Sequence, residues 1–325
     1  MPDYLIYFFL TIILGVLIIL YFRIASQYNI IDHPNKRSSH SKVTIRGGGI
    51  IFPVAVILYF VIYNFHYPYF LLGLILISLI SFLDDLHTLN NKIRLVVHLI
   101  AVALLIYQWN LHSMPWYWLI AATIFVIGTI NACNFMDGIN GLTGLYSLSI
   151  ISSLMFLNAS LHFIDQDFLM VVTISLFIFL YFNFRRTAVC FAGDVGSISI
   201  AFIVLFAIGN LILLTHQIIY ILFLAVYGTD SVLTIIMRIR NKENIFQPHR
   251  SHLYQLLGNE RGFMQRGVAV SYAVLQILIN ILIIWAVKQN IVDQFAIVII
   301  LLLLLSFSYY LIRYFINRRT LNLKG

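Results

Sequence analysis

The sequence predicts an all-α polytopic membrane protein with about 11 transmembrane helices, and three observations carry that prediction. Of its 325 residues 61% are hydrophobic and only 10% charged, with a mean hydropathy of +0.94; a water-soluble domain carries about 25% charged residues. The apolar residues fall into runs of membrane length separated by short polar stretches. The cations are one-sided: with the N-terminus outside, every Lys and Arg except Lys288, nineteen of twenty, lies on the cytoplasmic side. That bias orients multi-pass proteins, so the N-terminus is expected outside and the C-terminus in the cytoplasm. The net charge of +8 is then a topogenic signal, and no nucleic-acid partner is needed to explain it.

The first run, residues 4–22, lacks a basic leader and a small-residue cleavage site, and reads as a retained helix rather than a signal peptide. The second, 47–64, is entered through the triplet Gly47, Gly48 and Gly49, and the third, 68–84, closes on adjacent Asp84 and Asp85. The fourth, 94–109, follows Lys92 and Arg94; the fifth, 116–132, leads into "NACNFMDGINGLTG". Runs at 142–158 and 167–184 precede "FAGDVGSISI", which opens the eighth at 196–214. The last three lie at 217–235, 268–287 and 293–313. No low-complexity tract or internal repeat divides the chain, so residues 1–325 read as one integral-membrane domain, and an inverted-repeat transporter is not favoured. Cys133 and Cys190 give no disulfide framework and read as small packing residues.

Ionised carboxylates cost about 2.5–3.5 kcal/mol each at the centre of a membrane helix, yet five Asp residues sit at or near run ends: Asp84, Asp85, Asp137, Asp194 and Asp230. In the expected topology all five meet the cytoplasmic boundary. Water-exposed helix ends explain any one of them more readily than five on one side. Asn131, Asn134 and Asp137 are three apart, so neighbours in the series share a helix face. Gly138 and Gly141 then break the helix and let backbone approach a ligand. Such amide and carboxylate groups suit a nucleotide or a hydrated metal, or a capped helix end.

Asp194, between Gly193 and Gly196, stands where helix N–H groups favour anions; it can hold Mg²⁺ through oxygen or cap the helix. Phe191 offers a ring on which a base could stack. "DHPNKRSSHSKVTIRGGG" (32–49), with Arg37 and His40, fits phosphate contact, and the positive-inside bias explains its cations equally well. His249, Arg250 and His252 cluster beside the membrane, and diphosphate binding suits them better than a soft metal site. Hard oxygen ligands, cations and glycine-rich approaches on one membrane face suit phosphoryl transfer.

"FLDDLHTLNNKIRL", "NACNFMDGINGL" and "FAGDVGS" resemble the signature segments of the polyprenyl-phosphate N-acetylhexosamine-1-phosphate transferase family, in order and spacing, over roughly residues 20–260. The resemblance implies transfer of a HexNAc-phosphate from a UDP-HexNAc to undecaprenyl phosphate, with release of UMP. It implies Mg²⁺, with Mn²⁺ as a stand-in, and an active site on the cytoplasmic face of a bacterial inner membrane. Asp84 and Asp85 fall on the family's paired aspartates, Asp194 on its metal-binding aspartate with Asp85 beside it, and Asn134 and Asp137 on its catalytic loop. Phe191 falls at the uracil-stacking place, and Arg94, with Lys92 before it, where a cation follows the Asp pair. "DHPNKRSSH" looks like the GlcNAc-phosphate branch.

Two departures bear on the sugar. Asn140 stands where members often carry a second Asp, and Tyr254 and Gln255 replace two histidines of a His-rich run. The latter form resembles members that start O-antigen or capsule chains, some of which use deoxy-HexNAc donors. A homodimer stays open as a further partner. The competing reading is a cation- or proton-coupled secondary transporter, which would place its carboxylates near the bilayer midplane.

Overall fold

A computed structural model describes residues 3–32, 43–63, 66–244, 250–260, 262–289 and 294–322. The helices are α1 (Asp3–Gln27), α2 (Ile51–Tyr63), α3 (Pro68–Leu86), α4 (Asn91–Gln108), α5 (Trp116–Met136) and α6 (Leu142–Leu161), then α7 (Gln166–Asn183), α8 (Gly193–Thr215), α9 (Ala225–Arg240), α10 (Leu253–Gln255), α11 (Gln265–Lys288) and α12 (Gln294–Asn322). Among the described residues ten stretches are long and apolar enough to cross a membrane. The eleventh expected span, Gly48–Tyr63, joins a 3₁₀ turn to α2 and is shorter. Short as it is, it still runs from the end where Gly48 meets Phe191 to the end where Tyr59 meets Asp165, so it passes through the bundle with the other ten. Helix is what such apolar runs form, because in lipid each backbone N–H and C=O must be satisfied within its own segment.

Burial divides the bundle into a centre and a rim. In α6 and α8, 67% of the most apolar window lies inside the protein; in α12 only 11% does. Close approach at the centre relies on small residues, as membrane helix packing generally does. A Cβ on Gly73 of α3 would stand 3.1 Å from the Ala101 carbonyl of α4, and one on Gly144 of α6 would overlap Leu180 of α7. Ser78 of α3 and Ser199 of α8 share a buried hydrogen bond of 2.7 Å. Farther along, Phe70 stacks on Phe206 at 3.9 Å and on Phe202 at 5.7 Å.

The two ends of the bundle differ in chemistry. At one, α3, α5, α7 and α9 finish and α2, α4, α6, α8 and α11 begin, and short connections meet there. A two-residue ladder, β1 (Ile31–Asp32) with β2 (Thr44–Ile45), braces it, and Ile45 bridges on to Cys190. Gly48 N–H and Gly49 N–H then donate to the carbonyls of Phe191 and Ala192, at 2.8 and 3.1 Å. These bonds lay the segment 45–49 along the approach to α8. Gly49 and Gly196 touch so closely that a Cβ on Gly49 would lie 2.3 Å from the Gly196 Cα. At the opposite end tyrosines hold the acids: Tyr59 donates to Asp165 at 2.5 Å and Tyr7 to Asp167, while His66 lies 3.1 Å from Asp165.

Candidate active site

The site is built around the first turn of α8. Asp85, at the end of α3, turns its carboxylate onto that turn and accepts from Asp194 N–H and Val195 N–H, both at 3.0 Å. The fractional positive charge of a helix N-terminus favours a carboxylate there. Arg46 adds a charge-assisted bond from Nε at 2.7 Å, and the Asp85 side chain is wholly buried. Gly193 makes this approach feasible: its φ is +71°, and a Cβ there would stand 2.6 Å from Asp85 Oδ2 and 2.9 Å from the Gly47 Cα.

From Asp85 a line of alternating charges runs through the site. Arg46 Nη2 is 3.8 Å from Asp194 Oδ1, Arg94 Nη2 is 3.2 Å from Asp194 Oδ2, and Arg94 Nη1 is 2.5 Å from Asp84 Oδ2. Asp84 is fixed further by Leu89 N–H at 2.7 Å. Burial works against the Arg46 guanidinium, but the Asp85 and Asp194 charges more than offset it, and its pKa is raised. The sequence Asp84–Arg94–Asp194–Arg46–Asp85 thus draws on α3, α4, α8 and the segment before α2. Asp194 is its middle member and keeps 19% of its side chain exposed.

The second half of the site is the loop from α5 to α6. Asn134 Oδ1 accepts from Ser197 of α8 at 2.7 Å. Asp137, at the C-terminus of α5, accepts from Thr143 at 2.6 Å. Burial pushes the Asp137 carboxyl up to about 6; the Thr143 bond opposes the rise, the Asp85 charge adds to it and the Arg46 charge reduces it. Asn140 is buried and donates Nδ2–H to the Arg185 carbonyl at 3.0 Å. An ionised Asp has no proton to give that carbonyl, so the amide has a local structural reason. Gly141, with φ +86°, donates N–H to Asn183 Oδ1 at 2.7 Å, and Asn183 donates to the Cys190 carbonyl at 2.8 Å. The loop is laced to the segment that leads into α8.

The structure therefore brings together Asp84, Asp85, Arg94, Asp194, Asn134 and Asp137. Phe191 lies two residues before Gly193, half-buried, with its backbone in the braced segment. Lys92 is exposed on the first turn of α4. Arg250 is half-buried, with Nε and Nη2 buried and without a hydrogen-bond partner among the described residues. His252, expected beside it as a diphosphate ligand, turns inward: it is 1% exposed and its Nδ1 lies 3.4 Å from Asp230 Oδ1. Asp230 itself departs from the expected run end. Because the helix continues to Arg240, Asp230 lies midway along the stretch Ile218–Arg240 and is buried. Arg37, His40 and His249 lie outside the described residues.

Sequence reading missed Arg46, Thr143 and Tyr254. Arg46 carried a signal, as the one cation directly before a glycine triplet. Tyr254 stood out only as a departure from a His-rich run, because its partner Phe135 lies 119 positions away, and Thr143 carried no signal of its bond to Asp137.

Among the described residues no three His, Cys, Asp or Glu side chains form a metal-holding group by themselves. Mg²⁺ seldom needs one: it keeps several waters and takes one or two carboxylates together with substrate phosphates. The oxygen-only donors of the site suit a hard cation of that kind. Asp194 is the carboxylate with room, because Asp85 already accepts three bonds.

Fold and site together define a polytopic membrane protein with a charged polar centre at one end of its bundle. The profile of glycosyl transferase family 4 matches residues 67–213, which run from the start of α3 nearly to the end of α8. The chain is 30% identical over 275 residues to the probable undecaprenyl-phosphate N-acetylglucosaminyl 1-phosphate transferase of Bacillus subtilis, covering 77% of this chain and 76% of that protein. It is 29% identical to the undecaprenyl-phosphate alpha-N-acetylglucosaminyl 1-phosphate transferase of Thermotoga maritima, covering 81% and 82%. With the phospho-N-acetylmuramoyl-pentapeptide-transferase of Thermotoga petrophila the identity is 27%, over 58% of this chain and 68% of that one. The chain belongs to this family, the polyprenyl-phosphate N-acetylhexosamine-1-phosphate transferases that its motifs resemble.

Proposed function

We propose that the protein is an undecaprenyl-phosphate sugar-1-phosphate transferase that takes a HexNAc-1-phosphate from a UDP-HexNAc and releases UMP. The observation that carries the reading is the run of alternating charges through Asp194, in a protein whose relatives bear the names given above. Two anionic phosphates must meet at such a site, and their mutual repulsion is the main obstacle. Arg46 and Arg94 supply cations beside the one partly open carboxylate. Arg250 brings a further guanidinium, with buried nitrogens that lack a partner among the described residues, suited to the donor diphosphate.

The acceptor is a phosphate monoester with a second pKa near 6, so at pH 7 most of it is already a dianion. Its oxygen can attack the β-phosphorus of the UDP-sugar directly. The new P–O bond forms as the bond from the β-phosphorus to the bridging oxygen breaks, and that oxygen leaves with UMP. Asp84, held by Arg94 and Leu89 N–H, orients the acceptor; no covalent enzyme intermediate is invoked. Mg²⁺ held at Asp194, with Asp85 behind it, supplies charge neutralisation for the phosphates.

The nineteen-to-one distribution of cations supports an N-out, C-in orientation, with the site at the cytoplasmic face of a bacterial inner membrane. The product is suited to start a cell-surface polysaccharide such as an O-antigen, a capsule or a related wall glycan. In the test, detergent-purified protein is incubated with undecaprenyl phosphate and a panel of UDP-HexNAc donors, with and without EDTA. UMP release with one donor, abolished by EDTA and restored by Mg²⁺, is expected. No release with any donor would sink the reading.

A further inference from the structure

The segment that carries Arg250 is tied down at three places. Arg313 of α12 donates Nη1–H to the Ser251 carbonyl at 2.7 Å. Asp230 of α9 accepts from Leu253 N–H at 2.9 Å and Tyr254 N–H at 3.4 Å. The third tie is the Tyr254 side chain, which is 1% exposed. Its hydroxyl donates to the Phe135 carbonyl at 2.9 Å, at the end of α5 between Asn134 and Asp137. The same ring closes over Gly138: a Cβ there would lie 2.2 Å from the Tyr254 hydroxyl and 3.0 Å from its Cζ. Burial, then the charges of Asp230 and Asp137, hold the phenol above its ordinary range, so it remains a donor.

From this geometry we infer that Tyr254 is a positioning residue that clamps the catalytic loop, Asn134–Thr143, to the donor-side segment around Arg250. The inference rests on the transferase reading above and adds to it a route by which the two halves of the site hold one geometry. Tyr254 does not touch the reacting groups. It sets the Phe135 carbonyl and the Gly138 backbone, and through them the place of Asp137, whose N–H donates to the Asn134 carbonyl at 3.2 Å. Gly138 is the matching half of the clamp, because the phenol occupies the space of any larger side chain.

The experiment pairs Tyr254→Phe with Gly138→Ala. Losing one buried hydrogen bond is expected to lower kcat about fivefold to tenfold, with KM for the UDP-HexNAc changed less than about twofold. Gly138→Ala forces the loop off the ring and is expected to cost about a hundredfold in kcat, as displacements near 1 Å do. In the double variant the nearest obstacle is gone, so it should be several-fold more active than Gly138→Ala alone. Hydrogen–deuterium exchange of the peptide 134–141 should speed up in Tyr254→Phe while size-exclusion profile and Tm stay close to wild type. Wild-type kcat and exchange in Tyr254→Phe, or an equal Gly138→Ala loss in both backgrounds, would overturn the clamp. If the wild-type protein transfers from no UDP-HexNAc, the transferase reading fails instead, and the exchange measurement decides the clamp alone: faster exchange upholds it, and unchanged exchange overturns it.

Discussion

Two carboxylates in this bundle, Asp230 and Asp194, are both enclosed by helices, and they are held in opposite ways. Asp230 accepts from Leu253 N–H, Tyr254 N–H, the Tyr272 hydroxyl at 2.7 Å and the Thr234 hydroxyl at 3.2 Å, with His252 beside it. A carboxylate has about four lone-pair sites, and here all are used. Asp194 is faced by two guanidiniums at 3.2 and 3.8 Å, and no backbone N–H is directed at its side chain among the described contacts. One group is saturated by fixed donors and serves architecture. The other is balanced by two guanidiniums that also bind neighbouring carboxylates, and under the proposed function it keeps capacity for a ligand. Saturation, more than burial, distinguishes Asp230 from Asp194, the carboxylate on which the proposed function turns.

The sharpest way to break that contrast is to remove each charge in turn. Asp194→Asn is expected to cut turnover by at least ~10²-fold, the scale of losing one transition-state stabiliser, with little change in Tm. Asp230→Asn should do the reverse, lowering stability by about 3 kcal/mol or more because His252 and the segment 251–255 lose a buried anionic partner. Steady-state kinetics with thermal unfolding in detergent reads both effects. A stable, active Asp230→Asn protein would show that saturation does not mark structure.

Gly193→Ala tests the backbone on which the contrast rests. A φ of +71° costs a non-glycine residue about 1–3 kcal/mol, and the added Cβ would press on Asp85 and Gly47. A Tm decrease together with at least a tenfold loss of kcat is expected. An Asp85→Asn partner variant shows whether that loss runs through the Asp85 cap, since the two losses should then not add.

Arg250→Ala sharpens the comparison from the ligand side. Among the described residues its buried Nε and Nη2 have no partner, so they resemble Asp194 in being left open rather than saturated. The expected result is a rise of about tenfold in KM for the UDP-sugar, with a smaller change in kcat, as for a group that binds the donor diphosphate. Donor kinetics equal to wild type would return Arg250 to a topogenic role.

Much of this was legible in the sequence, because apolar run length and cation bias report on membrane spans directly. The runs at 68–84, 142–158 and 196–214 correspond to α3, α6 and α8 within a few residues. Asp84, Asp85, Asp137 and Asp194 stood out because carboxylates are rare beside such runs. Asp230 was misplaced because hydropathy ended the ninth run at residue 235, whereas α9 runs on to Arg240. His252 read as a ligand because a histidine beside an arginine looks the same whether it faces solvent or a buried Asp. The glycine triplet announced a close approach, but its partner did not show, because the pairing of Arg46 with Asp85 joins residues 39 positions apart.

The smallest expected effect at neutral pH concerns Asp137, which lies between the two extremes with one hydroxyl donor. Its carboxyl titrates at about 6 against an ordinary 3.8, chiefly because of burial. A raised folded-state value means that the stability associated with its protonated form is fully present below 3.8 and is lost as pH rises through about 6. Activity that needs the ionised form runs the other way and should fall on an acid limb near pH 6. The Thr143 hydroxyl favours the ionised form, so Thr143→Val removes that preference and should move the limb to higher pH. At pH 8 the variant and wild type should differ little, and the gap should open as pH falls toward 6. Profiles of kcat/KM between pH 5 and 9, taken at saturating Mg²⁺, decide the matter. A limb that stays in place or moves to lower pH would remove Asp137 as its source, and with it the argument that a single hydroxyl donor leaves this buried carboxyl open to titration.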